Sequence, residues 1–137
     1  MASESQQTGM RGVFLVAAEL SAHGLIVSPT SRGAAGADLL VTDHNCANAF
    51  SVQVKTNAKP VSFWLVGEKA KHIVSSSHVY VFVNLRPKDG QHEYYVVPSA
   101  VVAKKMTVSR RAKSTWYGFK KRDAEGYRNA WSNVGIK

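Results

Sequence analysis

The sequence is poor in the residues that staple or break a fold. It has one cysteine, Cys46, in 137 residues. A lone thiol makes no internal disulfide and no cysteine-rich zinc site, and its scarcity suits a reducing cytoplasm. Four prolines and ten glycines are too few for a collagen-like or Pro/Gly low-complexity chain. The longest apolar run, Val13–Ala18, falls far short of the roughly 20 residues a membrane helix needs. Polar opening residues, with Glu19 directly behind that run, give no secretory signal, so a cytoplasmic protein without a membrane partner is expected. Acids are scarce too: 9 Asp and Glu stand against 18 Lys and Arg, a formal net charge of +9. What is present is an ordinary apolar share of 45%, which excludes a disordered chain, in a length that suits one domain.

The charge is not spread evenly. Residues 1–60 hold four basic and four acidic side chains, and 61–102 hold four and three. Residues 103–137 hold ten basic and two acidic, which is +8 of the +9. A block of that kind is a candidate surface for a polyanion, because each neutralised phosphate releases condensed counterions. Lys104, Lys105, Arg110, Arg111, Lys113, Lys120, Lys121 and Arg122, with Arg32 upstream, are the expected nucleic-acid contacts. The plainer alternative is a solvated basic tail.

Residues 1–9 read as a flexible terminus, and 10–137 as one domain whose last part, 103–137, is basic. From Met10 the pattern turns helical. Val13, Val16, Ala17 and Leu20 fall at i, i+3, i+4 and i+7, Phe14 and Ala18 add a second flank that predicts burial on more than one side, and Gly24 sits where a helix stops. Leu25–Val27, Asp38–Val41 and Phe50–Thr56 predict three strands, a meander. In the third, Phe50, Val52 and Val54 alternate with Ser51, Gln53 and Lys55, one apolar face and one polar. Glu68–Val74 predicts one or two helical turns. His78–Leu85, β-branched and aromatic, predicts a strand, either in the core or at an edge free for pairing. Glu93–Val97 is its hairpin partner, and Ala100–Lys105 a short helix opening at Pro98-Ser99. Thr115–Phe119 predicts a short strand or an aromatic plug, and Asp123–Asn133 a C-terminal helix. The whole is an α/β (α+β) single domain: an N-terminal helix, a three-stranded meander, a helix and further strands.

The stretch from Gly36 to Ala58 carries the chemistry. Asp38 opens one strand, and Gln53 and Lys55, two apart on the next, share a face. If the two strands pair, a carboxylate, an amide oxygen and an ammonium converge, and Glu19 on the first helix can add a second carboxylate. Phosphodiester hydrolysis needs a hard cation to activate water and offset charge on phosphate. Mg²⁺ (or Mn²⁺) takes oxygen ligands, usually one or two carboxylates with waters and substrate filling the rest. Asp38 is the expected anchor, the side-chain oxygen of Gln53 and the carbonyl of Val54 are neutral ligands, and Lys55 orients the water or stabilises the phosphate. The plainer uses are a turn cap for Asp38, a solvated lysine at 55 and an ion pair with Arg11 for Glu19.

These residues resemble the PD-(D/E)XK nuclease superfamily, which includes restriction endonucleases and Holliday-junction resolvases. The resemblance implies a restriction endonuclease-like core over roughly residues 10–102. Glu19 matches the helical Glu, Asp38 the motif Asp, and Gln53-Val54-Lys55 the (D/E)-X-K, as a QXK variant. The motif proline is absent, since Ala37 precedes Asp38, and Gln53 removes one negative charge from the metal site. The function implied is a Mg²⁺-dependent endonuclease, resolvase-like and homodimeric, acting on DNA ahead of RNA. The rival is a catalytically inactive nuclease-fold protein that binds nucleic acid or a protein. An antitoxin-like or immunity-like role fits the basic charge less well.

Other motifs carry less. His44-Asn45-Cys46 lacks the second ligand pair of a zinc site. His23, His72, His78 and His92 are scattered. Trp64, Trp116, Tyr117 and Trp131 could stack on bases, but core packing is the expected use in so small a domain.

Overall fold

The computed structural model describes residues 3–31 and 36–135. Helix α1 runs over Glu4–Ala22, starting six residues before the expected Met10. Its start is fixed by a capping box: the Gln6 amide donates to the Ser3 hydroxyl while the Ser3 N–H donates to the Gln6 side chain. That reciprocal pair satisfies two otherwise orphaned donors.

Five strands form the main sheet, β1 (Ile26–Pro29), β2 (Leu39–Thr42), β3 (Ala49–Asn57), β5 (His78–Asn84) and β6 (Glu93–Pro98), in the spatial order β1-β2-β3-β5-β6. All neighbours are antiparallel except β3 and β5, which run parallel. Strands β4 (Phe63–Val66), β7 (Thr107–Arg110) and β8 (Thr115–Lys120) form a second, antiparallel sheet in the order β4-β8-β7. Helix α2 covers Ser99–Lys105, and α3 covers Lys121–Ala124. No helix among the described residues is long and apolar enough to cross a membrane.

The main sheet is covered on both faces, and the strand period sorts its side chains between two cores. On one face Val52, Val54, Val79, Val81 and Val83 meet Val16 and Leu20 of α1. There α1 lies so close that a Cβ at Gly12 would run into the Thr56 side chain. On the other face Tyr80, Phe82, Tyr95 and Val97 meet Trp64 and Phe119 of the second sheet. Phe82 stacks on Phe119 with ring centroids 5.0 Å apart, and the Trp64 indole N–H donates to the Val83 carbonyl at 2.9 Å.

Several expectations change. Phe14 and Ala18 are exposed, so α1 buries one stripe and not two. Strand β5 is no free edge: it sits between β3 and β6 with every residue buried, which is why it reads as an unbroken apolar run. Thr115–Phe119 is strand and not plug. The C-terminal helix over 123–133 is replaced by α3 and two short 3₁₀ turns, Glu125–Tyr127 and Trp131–Val134. A bridge between Arg128 and Tyr95, and a left-handed Asn129 whose N–H donates to the Tyr94 carbonyl, pull the chain onto β6 and break the helix.

Candidate active site

Strand β2 stops short of β3. Their pairing ends at Leu39 opposite Val52, while β3 continues to Asn57. Asp38 stands at that end, with its backbone fixed from both sides. Its N–H donates to the Val52 carbonyl at 2.8 Å, and its own carbonyl accepts from the Thr30 N–H at 3.0 Å. Its carboxylate then takes the place of the missing strand. Oδ2 accepts from the Val54 N–H at 2.8 Å and from the Gln53 amide Nε2 at 3.1 Å. A charged acceptor on a backbone N–H is among the stronger protein hydrogen bonds. In a strand the N–H and C=O of one residue point to the same side, so the Val54 carbonyl turns toward this same open edge.

Gln53 and Lys55 project from the other face of β3 than Val52 and Val54. Their register neighbours on β5, Tyr80 and Phe82, pack in the second core, so this polar pair lies on the side of the sheet that carries the second sheet. Lys55 is half-buried, and among the described residues its ammonium has no carboxylate partner.

Glu19 lies apart. Helix α1 packs on the opposite face of the main sheet, against Val52 and Val54. His23, one turn beyond Glu19, sits 5.6 Å from the Trp131 ring, and Trp131 sits 5.7 Å from Tyr94 of β6. Burial raises the Tyr94 phenol pKa, and the charge of Glu19 raises it further. Among the described residues no hydrogen bond or ion pair joins Glu19 to the group at Asp38.

One polar neighbour on the same face escaped the sequence reading. His78 is 5% exposed, its Nδ1 lies 2.6 Å from the Ser51 hydroxyl, and its Nε2 is buried without a partner. Burial lowers its pKa, against a weaker raising contribution from Ser51. The alternation of HVYVFVN, set parallel to the SVQVK strand, holds that signal: it puts His78 beside Ser51 as Tyr80 stands beside Gln53. At the turn before β3, Asp43 accepts from Asn48 and from the Ala47 N–H, which lower its pKa. That residue holds a loop together.

The basic residues separate into groups. Lys104 and Lys105 are exposed in the last turn of α2, and Arg110, Arg111 and Lys113 are exposed around the β7–β8 hairpin. Lys120 ends β8, half-buried, and Arg122 is exposed beside it. Lys121 is committed elsewhere: its ammonium lies 3.5 Å from Glu93 and 3.9 Å from Glu125. Arg32 lies outside the described residues. Of the aromatics, Trp64 and Trp131 are core residues as expected, whereas Trp116 is 47% exposed.

No family model matches this sequence, and no curated protein does. Solved structures do share its architecture. A bacterial homing endonuclease superposes with a TM-score of 0.62 at 18% identity, covering 98% of this chain and 92% of its own. The Holliday junction resolvase Hjc of Archaeoglobus fulgidus, an archaeal hyperthermophile, superposes with a TM-score of 0.59 at 11% identity, covering 94% of this chain and 97% of its own. At such identities the likeness is one of fold.

Proposed function

On the restriction endonuclease-like fold that this chain has, we propose a metal-dependent endonuclease that hydrolyses nucleic-acid phosphodiesters, DNA ahead of RNA, with Asp38, Gln53, Val54 and Lys55 as its reacting centre. The observation that carries the reading is the Asp38 carboxylate seated on the free edge of β3, held by Val54 and Gln53 with Lys55 on the same face as Gln53. The donors there suit Mg²⁺ or Mn²⁺: the Asp38 carboxylate, the Val54 carbonyl and the amide oxygen of Gln53 are all hard oxygens. When bound, the cation would activate water and offset charge on the phosphate.

The chain's own groups do the rest. The Val54 N–H fixes the carboxylate, so its orientation costs nothing when substrate arrives. The Gln53 amide donates to Asp38 through Nε2, and a half-turn about its last bond presents Oε1 instead. The Lys55 ammonium, with no carboxylate to neutralise it among the described residues, is available to a phosphate oxygen as negative charge builds there. One such centre cuts one strand, so cutting two requires a homodimer.

Purified protein incubated with supercoiled plasmid, branched DNA and RNA, in Mg²⁺, Mn²⁺ or EDTA, tests the reading. Cutting in metal is expected, falling by about 10²–10³-fold in Asp38→Asn and in Lys55→Ala. Glu19→Gln, on the other face, is expected to change the rate by less than about twofold, since it touches neither reacting group. Undiminished cutting by Asp38→Asn would overturn the assignment. Absence of cutting by the wild type on every substrate would favour a second reading, a nuclease-fold binder without catalysis. The neutral Gln53 beside Asp38, leaving one carboxylate in the group, favours that reading.

A further inference from the structure

A groove of about 690 Å³ lies away from Asp38, on the outer face of the second sheet. Alternation builds it. Trp64, Val66 and Phe119 turn inward to the core, so Phe63 and Leu65 of β4 and Trp116, Gly118 and Lys120 of β8 turn outward. Register sets Leu65 opposite Gly118 and Phe63 opposite Lys120. Gly118 is thus the floor, with the two β4 side chains on one wall and Trp116 on the other. Phe63, Leu65 and Trp116 are 45%, 51% and 47% exposed and line the same groove, a contiguous apolar patch open to water. The Trp116 indole N–H is already held by the Ser114 hydroxyl at 2.9 Å, which fixes the ring.

The rim is cationic. Arg111, Lys120 and Arg122 line it. Glu125, the one acid on the lining, lies 3.9 Å from Lys121 and is answered by it. Among the described residues Arg111, Lys120 and Arg122 have no carboxylate partner. Aromatic faces flanked by free cations are the chemistry that holds bases by stacking and the backbone by charge. A duplex hides its base faces in its own stack, whereas an unpaired strand offers them. The volume lies within the range of sites that enclose small organic molecules, enough for a nucleotide.

We propose that this groove binds an unpaired segment of nucleic acid, with a base against Trp116 and Phe63 and the phosphates on Arg111, Lys120 and Arg122. The second sheet packs on the face of the main sheet that carries Gln53 and Lys55, and the groove is cut into its outward face. The proposal extends the nuclease reading by naming a substrate class, one with unpaired nucleotides. Binding in EDTA requires no cutting, so the two fail separately.

The test is fluorescence anisotropy in EDTA with labelled oligo-dT, oligo-U and a matched DNA duplex, against wild type, Trp116→Ala, Trp116→Phe and Gly118→Leu. A Cβ at Gly118 meets its nearest neighbours at 3.5–3.8 Å, ordinary contact, so a leucine there stands in the groove without disturbing the sheet. Gly118→Leu and Trp116→Ala should each weaken single-strand binding roughly tenfold, with Trp116→Phe restoring most of it. Duplex binding should move less than about twofold, because phosphate contacts dominate it. Loss with oligo-dT, oligo-U or both supports the groove and distinguishes DNA from RNA as its source. Equal losses for single strand and duplex, no loss at all, or competition by a poly-glutamate peptide as effective as oligo-dT would overturn it. Should Gly118→Leu fail to fold, the Trp116 pair decides alone.

Discussion

The two sheets do opposite things with their polar and aromatic residues. Three of the five strands of the main sheet come from residues 1–60, which carry no net charge, and at its open edge Asp38, Gln53 and Val54 are joined by hydrogen bonds of 2.8 and 3.1 Å. The second sheet draws two of its three strands from the basic last part. It leaves Phe63, Leu65 and Trp116 half exposed beside Arg111, Lys120 and Arg122, which have no carboxylate partner among the described residues. A site that must hold one geometry needs its donors satisfied and fixed. A surface that must hold a long, variable polyanion needs exposed stacking area and free charge. The +9 charge is therefore two regions, one neutral and ordered around a carboxylate, one basic and open.

The joint between the regions is Glu93, and breaking it should give the largest effect on stability. Glu93 is 5% exposed and lies within reach of Asn84, Tyr95, Arg86 and Lys121. Burial works against its charge, but Lys121 and the hydrogen bonds from Asn84 and Tyr95 outweigh this and hold its pKa below the usual value. In return, burial and the Glu93 charge push the Tyr95 phenol up to about 12. Glu93→Ala strands Asn84 and Tyr95 and should cost about 2–3 kcal/mol in a denaturant titration. It should loosen oligonucleotide binding as well. A loss below about 0.5 kcal/mol, typical of a surface site, would show that the sheets are not coupled there.

A smaller effect should come from His78, which links β5 to β3 on the face of Gln53 and Lys55. Its folded pKa lies below 6.5. The unfolded chain therefore takes up the proton first. The stability is present above the unfolded value and is lost as pH falls through the folded one. Tm should drop more steeply between about pH 7 and about pH 5 in the wild type than in His78→Gln. Equal slopes would show that the neutral ring is not a condition of the fold.

What could be read in advance follows the range of the physics. The β3 alternation, and with it the pairing of Gln53 and Lys55 on one face, depends only on a period of two and was legible. Asp38 was legible as a strand start, though not as a stand-in for the missing strand beside Val54. The start of α1 is written in Ser3 and Gln6 at capping-box spacing, in a stretch too polar to show an apolar period. Strand β4 is apolar on both faces, and β7 is mostly exposed, so neither shows the alternation that marks a half-buried strand. The exposure of Trp116 depends on how whole layers pack, which no local window contains.

The most direct test of the division is to measure, on the same preparations, the cutting rate in Mg²⁺ and the oligo-dT affinity in EDTA for Asp38→Asn and Trp116→Ala. Asp38→Asn should lose cutting by about 10²-fold or more while its affinity stays within about twofold. Trp116→Ala should lose affinity roughly tenfold while its cutting rate at saturating substrate is nearly unchanged. If either substitution lowers rate and affinity together, chemistry and grip are not separate regions, and the division is wrong.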